Sequence, residues 1–329
     1  MKLHTLLRWL AAAASACVVT TPALAKDFRL GLVTPPTHIW SQAANDFARD
    51  LKEASGGKHS VAVFPAAQLG NEAQMLQQLQ TGALDMAFLT IAELSNRSTD
   101  MGALYAPYLV TNVQQAKDLL ATPTANKLLE KLPATAGVVG IGYGMGGLRQ
   151  ILSRSPVNNI DDLKGRKLRV TPLEPIRDFY IAVGAAPTPL PLPAVFDALA
   201  NGQVDAIDMD LELIWGMKFY QQADTILLSN HMMWPMVGVV SARVWAGLSA
   251  EDRQQISDLM KKRLGQTAEA YVVKEAEWEK EVRNTGKTIK DVGPEFFAKA
   301  SADWEKNWSK RTPALADLRE TAKTLPSAK

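Results

Sequence analysis

Short apolar runs alternate with stretches of helical amphipathic spacing along much of the chain. Residues 28–33 form an apolar run of strand length. Across Ile39–Ala54, the apolar positions Ala43, Phe47, Leu51 and Ala54 recur at three- and four-residue steps, which line one face of a helix. Ser55-Gly56-Gly57 ends that pattern. A second strand at 61–64, a second helix at 72–79 stopped by Thr81-Gly82, and a third strand at 84–89 follow. Strand, helix, strand, helix, strand within about 60 residues predicts a parallel α/β sheet. Parallel crossovers gather the carboxyl-end loops of such a sheet on one side, where ligands bind.

The rhythm changes near residue 137. An apolar strand at 137–143 runs into the glycine-rich 144–147, and a second strand occupies 148–153. Ile160–Leu163 reads as a helical turn closed by Gly165, Lys167–Val170 as a strand, and 175–183 as a helix stopped by Gly184. Another unit follows: 185–189, a helix at 194–200 ended by Asn201-Gly202, and a strand at 204–209. This second α/β group predicts a second lobe, and the strand at 237–241 predicts a return to the first. From 250 to 282 the helical pattern contains no proline. Ser249 can cap it, and Glu251 and Asp252 suit its first turn. Such a helix is roughly 50 Å long. Periodicity leaves two readings open: a helix broken around Gly265, or a beam across both lobes. The tail at 294–310 carries Phe296, Phe297, Trp304 and Trp308, a packing face.

Composition narrows the compartment and the partners. The chain of 329 residues begins with Lys2 and Arg8, an apolar run at 10–19 and the small-residue site Ala23-Leu24-Ala25. This predicts a secretory signal over residues 1–25. A membrane anchor is disfavoured, because a bilayer needs about 20 apolar residues. Processing as a lipoprotein at Cys17, after Ala14-Ser15-Ala16, is the alternative. Cys17 is the only cysteine, so cleavage after Ala25 leaves no disulfide and no thiol chemistry. A chain this long buries a core without staples. The formal charge is +2, and loss of Lys2 and Arg8 leaves 34 basic and 34 acidic residues. Neutrality argues against nucleic acid or an anionic membrane surface as the partner.

Several chemical motifs fail on context. Gly142-Tyr143-Gly144-Met145-Gly146-Gly147 fits G-x-G-x-x-G, but a dinucleotide site needs a helix straight after the loop. Here Leu148-Arg149-Gln150-Ile151-Leu152 reads as a strand, so the glycines predict a tightly turning hinge. His4, His38, His59 and His231 are isolated, and no H-E-x-x-H or G-x-S-x-G sequence occurs. No metal and no cofactor are expected. Asp205, Asp208, Asp210 and Glu212 form an acidic cluster, of which the last three share a face if extended. A solvated strand end is the favoured reading over a cation site, since the calcium-loop pattern is missing. Arg169 is more informative. It lies near the carboxyl end of Lys167-Leu168-Arg169-Val170, where α/β folds present ligand groups. Its planar fork suits a carboxylate. On residue type alone, a surface ion pair is the favoured reading over a ligand contact.

Further residues carry a family resemblance. They are Gly147-Leu148-Arg149-Gln150, the run from Ile160-Asp161-Asp162-Leu163 through Val170, Val183-Gly184-Ala185-Ala186-Pro187, and Ala198-Leu199-Ala200-Asn201-Gly202-Gln203-Val204-Asp205. Pro65-Ala66-Ala67-Gln68-Leu69-Gly70, Gly82-Ala83-Leu84-Asp85, Lys218-Phe219-Tyr220 and Asn230-His231 add to them. Together they resemble the substrate-binding proteins of TRAP transporters, the DctP-type extracytoplasmic solute receptors, over nearly the whole mature chain.

The resemblance implies an α/β, two-lobed periplasmic-binding-protein-like fold, with a ligand cleft between the lobes and one long bracing helix. That decides 250–282 in favour of the beam. Lobe 1 is expected at 26–146 plus 237–272, and lobe 2 at 147–236 plus 273–329. Arg169 is expected to grip a ligand carboxylate, with Arg149 in support. His38 in the loop 34–38, Thr90 within 89–91, and Leu192 would line the cleft. Two departures stand out: Met209 where many relatives carry Asn, and Ala194 where many carry Glu. Asp208 or Asp210, if turned inward, would favour hydroxyls or a cation and repel a second carboxylate. The expected ligand is thus a monocarboxylate with an apolar or hydroxylated body. The implied protein is a monomeric, non-enzymatic periplasmic receptor that delivers a small organic acid to integral membrane subunits. A receptor for an ATP-driven importer or a sensor kinase is the first alternative. A periplasmic lyase or isomerase using Asp208 and Asp210 is the second.

Overall fold

The first three strands and two helices follow the predicted rhythm: β1 (Lys26–Gly31), α1 (Ile39–Ala54), β2 (His59–Phe64), α2 (Glu72–Thr81) and β3 (Met86–Thr90). This computed structural model describes residues 25–326, so the segment expected to be a secretory signal, with Cys17, lies almost wholly outside the described residues. Four helices come next: α3 (Ile91–Ser95), α4 (Val113–Ala121), α5 (Pro123–Leu129) and α6 (Leu132–Ala136). Then follow β4 (Val138–Ser153), β5 (Lys167–Val170), α7 (Glu174–Val183), β6 (Ala186–Pro189), α8 (Val195–Ala200), β7 (Ala206–Asp210) and α9 (Leu211–Gly216). The chain ends through β8 (Thr225–Leu228), β9 (Met233–Ser241), α10 (Ala242–Ala246), α11 (Ala250–Arg283), β10 (Thr288–Asp291), α12 (Ala298–Trp308) and α13 (Ala314–Thr324).

The strands form two joined sheets. In the first, the order is β2-β1-β3-β9-β4; β1 is parallel to β2 and β3, and β9 is antiparallel to both β3 and β4. In the second, the order is β10-β8-β4-β7-β5-β6. β4 belongs to both, pairing β9 up to Leu148 and β7 from Arg149 onward. The two sheets are the frames of two lobes.

The glycine-rich stretch differs from its expectation. It is strand, not a turning loop, and β4 runs unbroken for 16 residues with register shifts at Gly140/Gly142 and Met145/Leu148. The cause is the helix lying against it. A Cβ on Gly144 would come within 2.7 Å of Thr267 Oγ1 on α11 and 2.5 Å of Met236 Cε. Gly147 takes φ +80°, a conformation that favours glycine, at the second register shift.

α11 is one helix of 34 residues, uninterrupted at Gly265. Ser249 caps it, its hydroxyl accepting from the Asp252 N–H at 3.0 Å. Ile256, Met260, Leu264, Ala268 and Tyr271 form its buried stripe. It packs on α1, α4 and β4, and further along on α9, so it braces elements of both sheets. The tail aromatics pack as predicted: Trp304 and Trp308 stack at 5.2 Å, and their ring nitrogens donate to the Pro175 carbonyl and to Asp178.

Candidate functional site

A cleft with about 840 Å³ of empty space, its open mouth included, lies between the two sheets. The carboxyl end of β1 contributes Thr34 and His38; the start of α2 contributes Glu72; the end of β3 and α3 contribute Thr90 and Glu93. From the other side come Arg149, Arg169, Leu192, Met209 and Asp210, and Trp234 on β9 of the first sheet lines the cleft as well. The fold thus places loops and strand ends of both sheets around one space, as parallel α/β units do.

Arg149 is 1% exposed, and its charge is consumed within the protein. Its Nε donates to Asp208 Oδ1 at 2.5 Å and its Nη1 to Asp210 Oδ2 at 3.2 Å. The Trp234 ring lies 4.1 Å from its guanidinium carbon, a cation–π contact. Asp208 is fully buried and also accepts from Tyr180 OH at 2.8 Å, with His231 Nε2 at 3.1 Å. Burial alone would raise its pKa, but Arg149, His231 and Tyr180 outweigh that and hold the carboxyl well below the usual range. Asp210 is raised, burial outweighing Arg149, and its Oδ1 caps α9 by accepting from the Leu213 N–H at 3.0 Å.

Arg169 is arranged differently. It is 2% exposed. Its Nε donates to the Leu190 carbonyl at 3.0 Å and its Nη1 to the Asp208 carbonyl at 3.3 Å. These are neutral acceptors, and among the described residues no carboxylate forms an ion pair with it. Burial, and then the neighbouring Arg149 charge, push its pKa down to about 9, so it stays protonated at neutral pH. A buried cation without an anionic partner costs free energy. An anion entering the cleft relieves that cost.

His38 caps α1: its Nδ1 accepts from the Trp40 N–H at 3.1 Å, so its Nε2 carries the proton and donates to Glu212 Oε2 at 3.2 Å. Burial lowers its pKa to about 3, keeping it neutral. Glu212 also accepts from the Ile39 N–H at 2.9 Å and from Tyr271 OH. Because α1 follows β1 and α9 follows β7, this carboxylate joins the two sides of the cleft.

Two expectations need correction. Asp208 does not line the cleft; it sits behind Arg149, enclosed by that arginine, Tyr180 and His231. The acidic cluster is not a solvated strand end either, because Asp208, Asp210 and Glu212 are 0%, 1% and 9% exposed. The remaining predicted positions, Arg169, Arg149, Met209, Leu192, Thr90, His38 and Asp210, all face the cleft. Glu72 and Glu93, which the sequence reading did not single out, face it too. Thr90 donates its N–H and hydroxyl to the two Glu72 oxygens at 2.6 and 2.7 Å.

Among the described residues, no helix is long and apolar enough to cross a membrane. The family model described as bacterial extracellular solute-binding protein, family 7, matches residues 30–312. The sialic acid-binding periplasmic protein SiaP of Vibrio cholerae is 27% identical over 253 residues, 77% of each chain. The 2,3-diketo-L-gulonate-binding periplasmic protein YiaO of Escherichia coli is 28% identical over 257 residues, 78% of each chain. A TRAP periplasmic solute binding protein from Bradyrhizobium, in complex with galacturonate, superposes with a TM-score of 0.85 at 29% identity. That match covers 91% of this chain and 100% of the other.

Proposed function

This chain belongs to the bacterial extracellular solute-binding proteins of family 7, and from that premise we propose that its cleft captures a hydroxylated organic acid by its carboxylate, through Arg169. It is a TRAP-type solute receptor and not an enzyme. The observation that carries the ligand assignment is the buried guanidinium of Arg169, which meets only carbonyl oxygens from the protein. A planar carboxylate can accept from its remaining N–H groups with charge assistance. Arg149, already paired to Asp208 and Asp210, supports the site as part of the cleft wall beside Arg169. Leu192, Met209 and Trp234 offer apolar surface to the carbon skeleton. Solved relatives bound to galacturonate and to L-gulonate, 29% and 26% identical, support the ligand class.

Capture proceeds by closure. The ligand bridges groups from both sheets and favours the closed state by its differential affinity for it. The lobe limits at 26–146 plus 237–272 and 147–236 plus 273–329 belong to the same proposal. So do removal of residues 1–25 on export, action as a monomer, and hand-over of the ligand to integral membrane subunits of a TRAP transporter.

The test is titration calorimetry and thermal melting of the mature chain with sugar acids, repeated on Arg169→Ala. Sugar acids should raise the melting temperature of the wild type, and the variant should lose about 3–5 kcal/mol of binding free energy. Acids that act equally on both proteins, or stabilisation by neutral sugars instead, would sink the assignment.

A further inference from the structure

Among the described residues, the cleft carries one unmatched cation but more than one acid. Arg149 is neutralised by Asp208 and Asp210, which leaves Arg169 as the positive group open to a ligand. Glu72, the first residue of α2, and Glu93 on α3 line the same space from the other sheet. We propose that Glu72 and Glu93 are the specificity-determining pair of this cleft, accepting hydroxyl hydrogens from the body of the ligand and excluding any ligand with a second carboxylate. The inference rests on carboxylate capture by Arg169.

The geometry supports it in two ways. Thr90 fixes the Glu72 carboxylate by donating once to each oxygen. A carboxylate oxygen has two acceptor sites, so each retains capacity for a further donor. A hydroxyl can supply that donor and an ionised carboxylate cannot. The second argument is charge. Once a ligand carboxylate has paired with Arg169, a second would enter beside Glu72 and Glu93 in a space walled by apolar Leu192 and Met209. Like charges in such surroundings repel strongly.

The titration of the pair agrees. Burial raises Glu72, with the Thr90 hydrogen bonds and the Arg169 charge opposing it. Burial and the Glu72 charge push Glu93 up to about 7, against smaller contributions from Arg97 and Asn96. The groups that act on the pair are thus Thr90 at the end of β3, Asn96 and Arg97 beyond α3, and Arg169 on β5. As pH falls through 7, Glu93 takes up a proton and the repulsion of a second carboxylate weakens.

The experiment measures Kd by calorimetry on the mature chain at pH 8, for galactonate and erythronate against succinate and malate. Wild type, Glu93→Gln and Glu72→Gln are compared, each checked by a thermal melt. The expected result is a preference of at least 100-fold for the hydroxylated monocarboxylates in the wild type, narrowed at least tenfold by Glu93→Gln. Wild type at pH 6 should move toward the Glu93→Gln ratio. If Glu72→Gln does not fold, Glu93→Gln and the wild-type pH series decide. A ratio indifferent to Glu93→Gln and to pH overturns the pair while leaving capture by Arg169 intact. If no acid binds the wild type, capture by Arg169 fails and the pair falls with it.

Discussion

Two arginines of similar burial have opposite duties here. Arg169 meets only carbonyl oxygens of the protein and is the group we propose holds the ligand, whereas Arg149 spends its charge on Asp208 and Asp210. Their variants should therefore separate. Arg149→Met leaves Asp208 buried without its cation, and such a loss destabilises by about 3–5 kcal/mol. The expected outcome is a clear drop in melting temperature without ligand, partly recovered in Arg149→Met/Asp208→Asn. Arg169→Ala should instead spare the ligand-free melt and abolish the ligand-induced shift. The position of Arg169 near the carboxyl end of a strand was legible, but residue type alone pointed to a surface ion pair, and it was the family resemblance that pointed to the cleft. Asp208 was not legible. Its partners Arg149, Tyr180 and His231 lie 59, 28 and 23 residues away, so only the fold reveals that the carboxylate is enclosed. Glu72 was hidden for another reason: an acid at a helix start already has a local explanation in the helix dipole.

Among the elements, α11 has the plainest pattern and the least expected neighbour. Glu275 on it turns toward the crossing strand, Oε1 accepting from the Leu148 N–H at 3.4 Å. Its Oε2 is buried without a hydrogen-bond partner among the described residues. Burial raises its pKa to about 8. A carboxyl raised by folding favours the native state when protonated, and that contribution is lost as pH rises from its unfolded value, about 4.3, through 8. Glu275→Gln should thus raise the melting temperature at pH 9, by about 1–2 kcal/mol of stability, and change little at pH 4.5. No gain at pH 9 would mean that water or movement relieves the charge. Sequence periodicity found α11 and the first α/β unit because their apolar spacing is local. The helices between 113 and 136, the short β8 and β10, and the strand character of the glycines escaped it. β8 and β10 hold four residues each and pair across about sixty positions, so their signal is tertiary. The glycines read as a turn because the reasons for their smallness, α11 side chains beside Gly142, Gly144 and Gly147, Met236 beside Gly144, and the Trp40 and Trp234 rings beside Gly146, are distant in the chain.

For the molecule as a whole, Glu212 ties the two sides of the cleft together. It takes hydrogen bonds from Ile39 and His38 on one side and from Tyr271 on the bracing helix. The contacts to Ile39 and His38 cross between the two sides of the cleft and hold them together. Glu212→Ala should weaken ligand affinity about tenfold, chiefly through faster release, since charged hydrogen bonds contribute about 1.5–3 kcal/mol each before losses. Stopped-flow fluorescence of the cleft tryptophans Trp40 and Trp234 would follow release. An unchanged off-rate would show that closure does not depend on this contact.

The order of strands in the first sheet has a consequence for how the protein is made. β9 lies between β3 and β4, yet its residues, Met233–Ser241, come after both lobes have been begun. Until they emerge, β3 has no partner on one side and β4 has none linking it to the first sheet. A chain still being synthesised therefore cannot complete the first sheet until about three quarters of it is available. The fold carries its own delay: in the first sheet the last strand to arrive is the one that closes it, and the second sheet waits longer still, for β10.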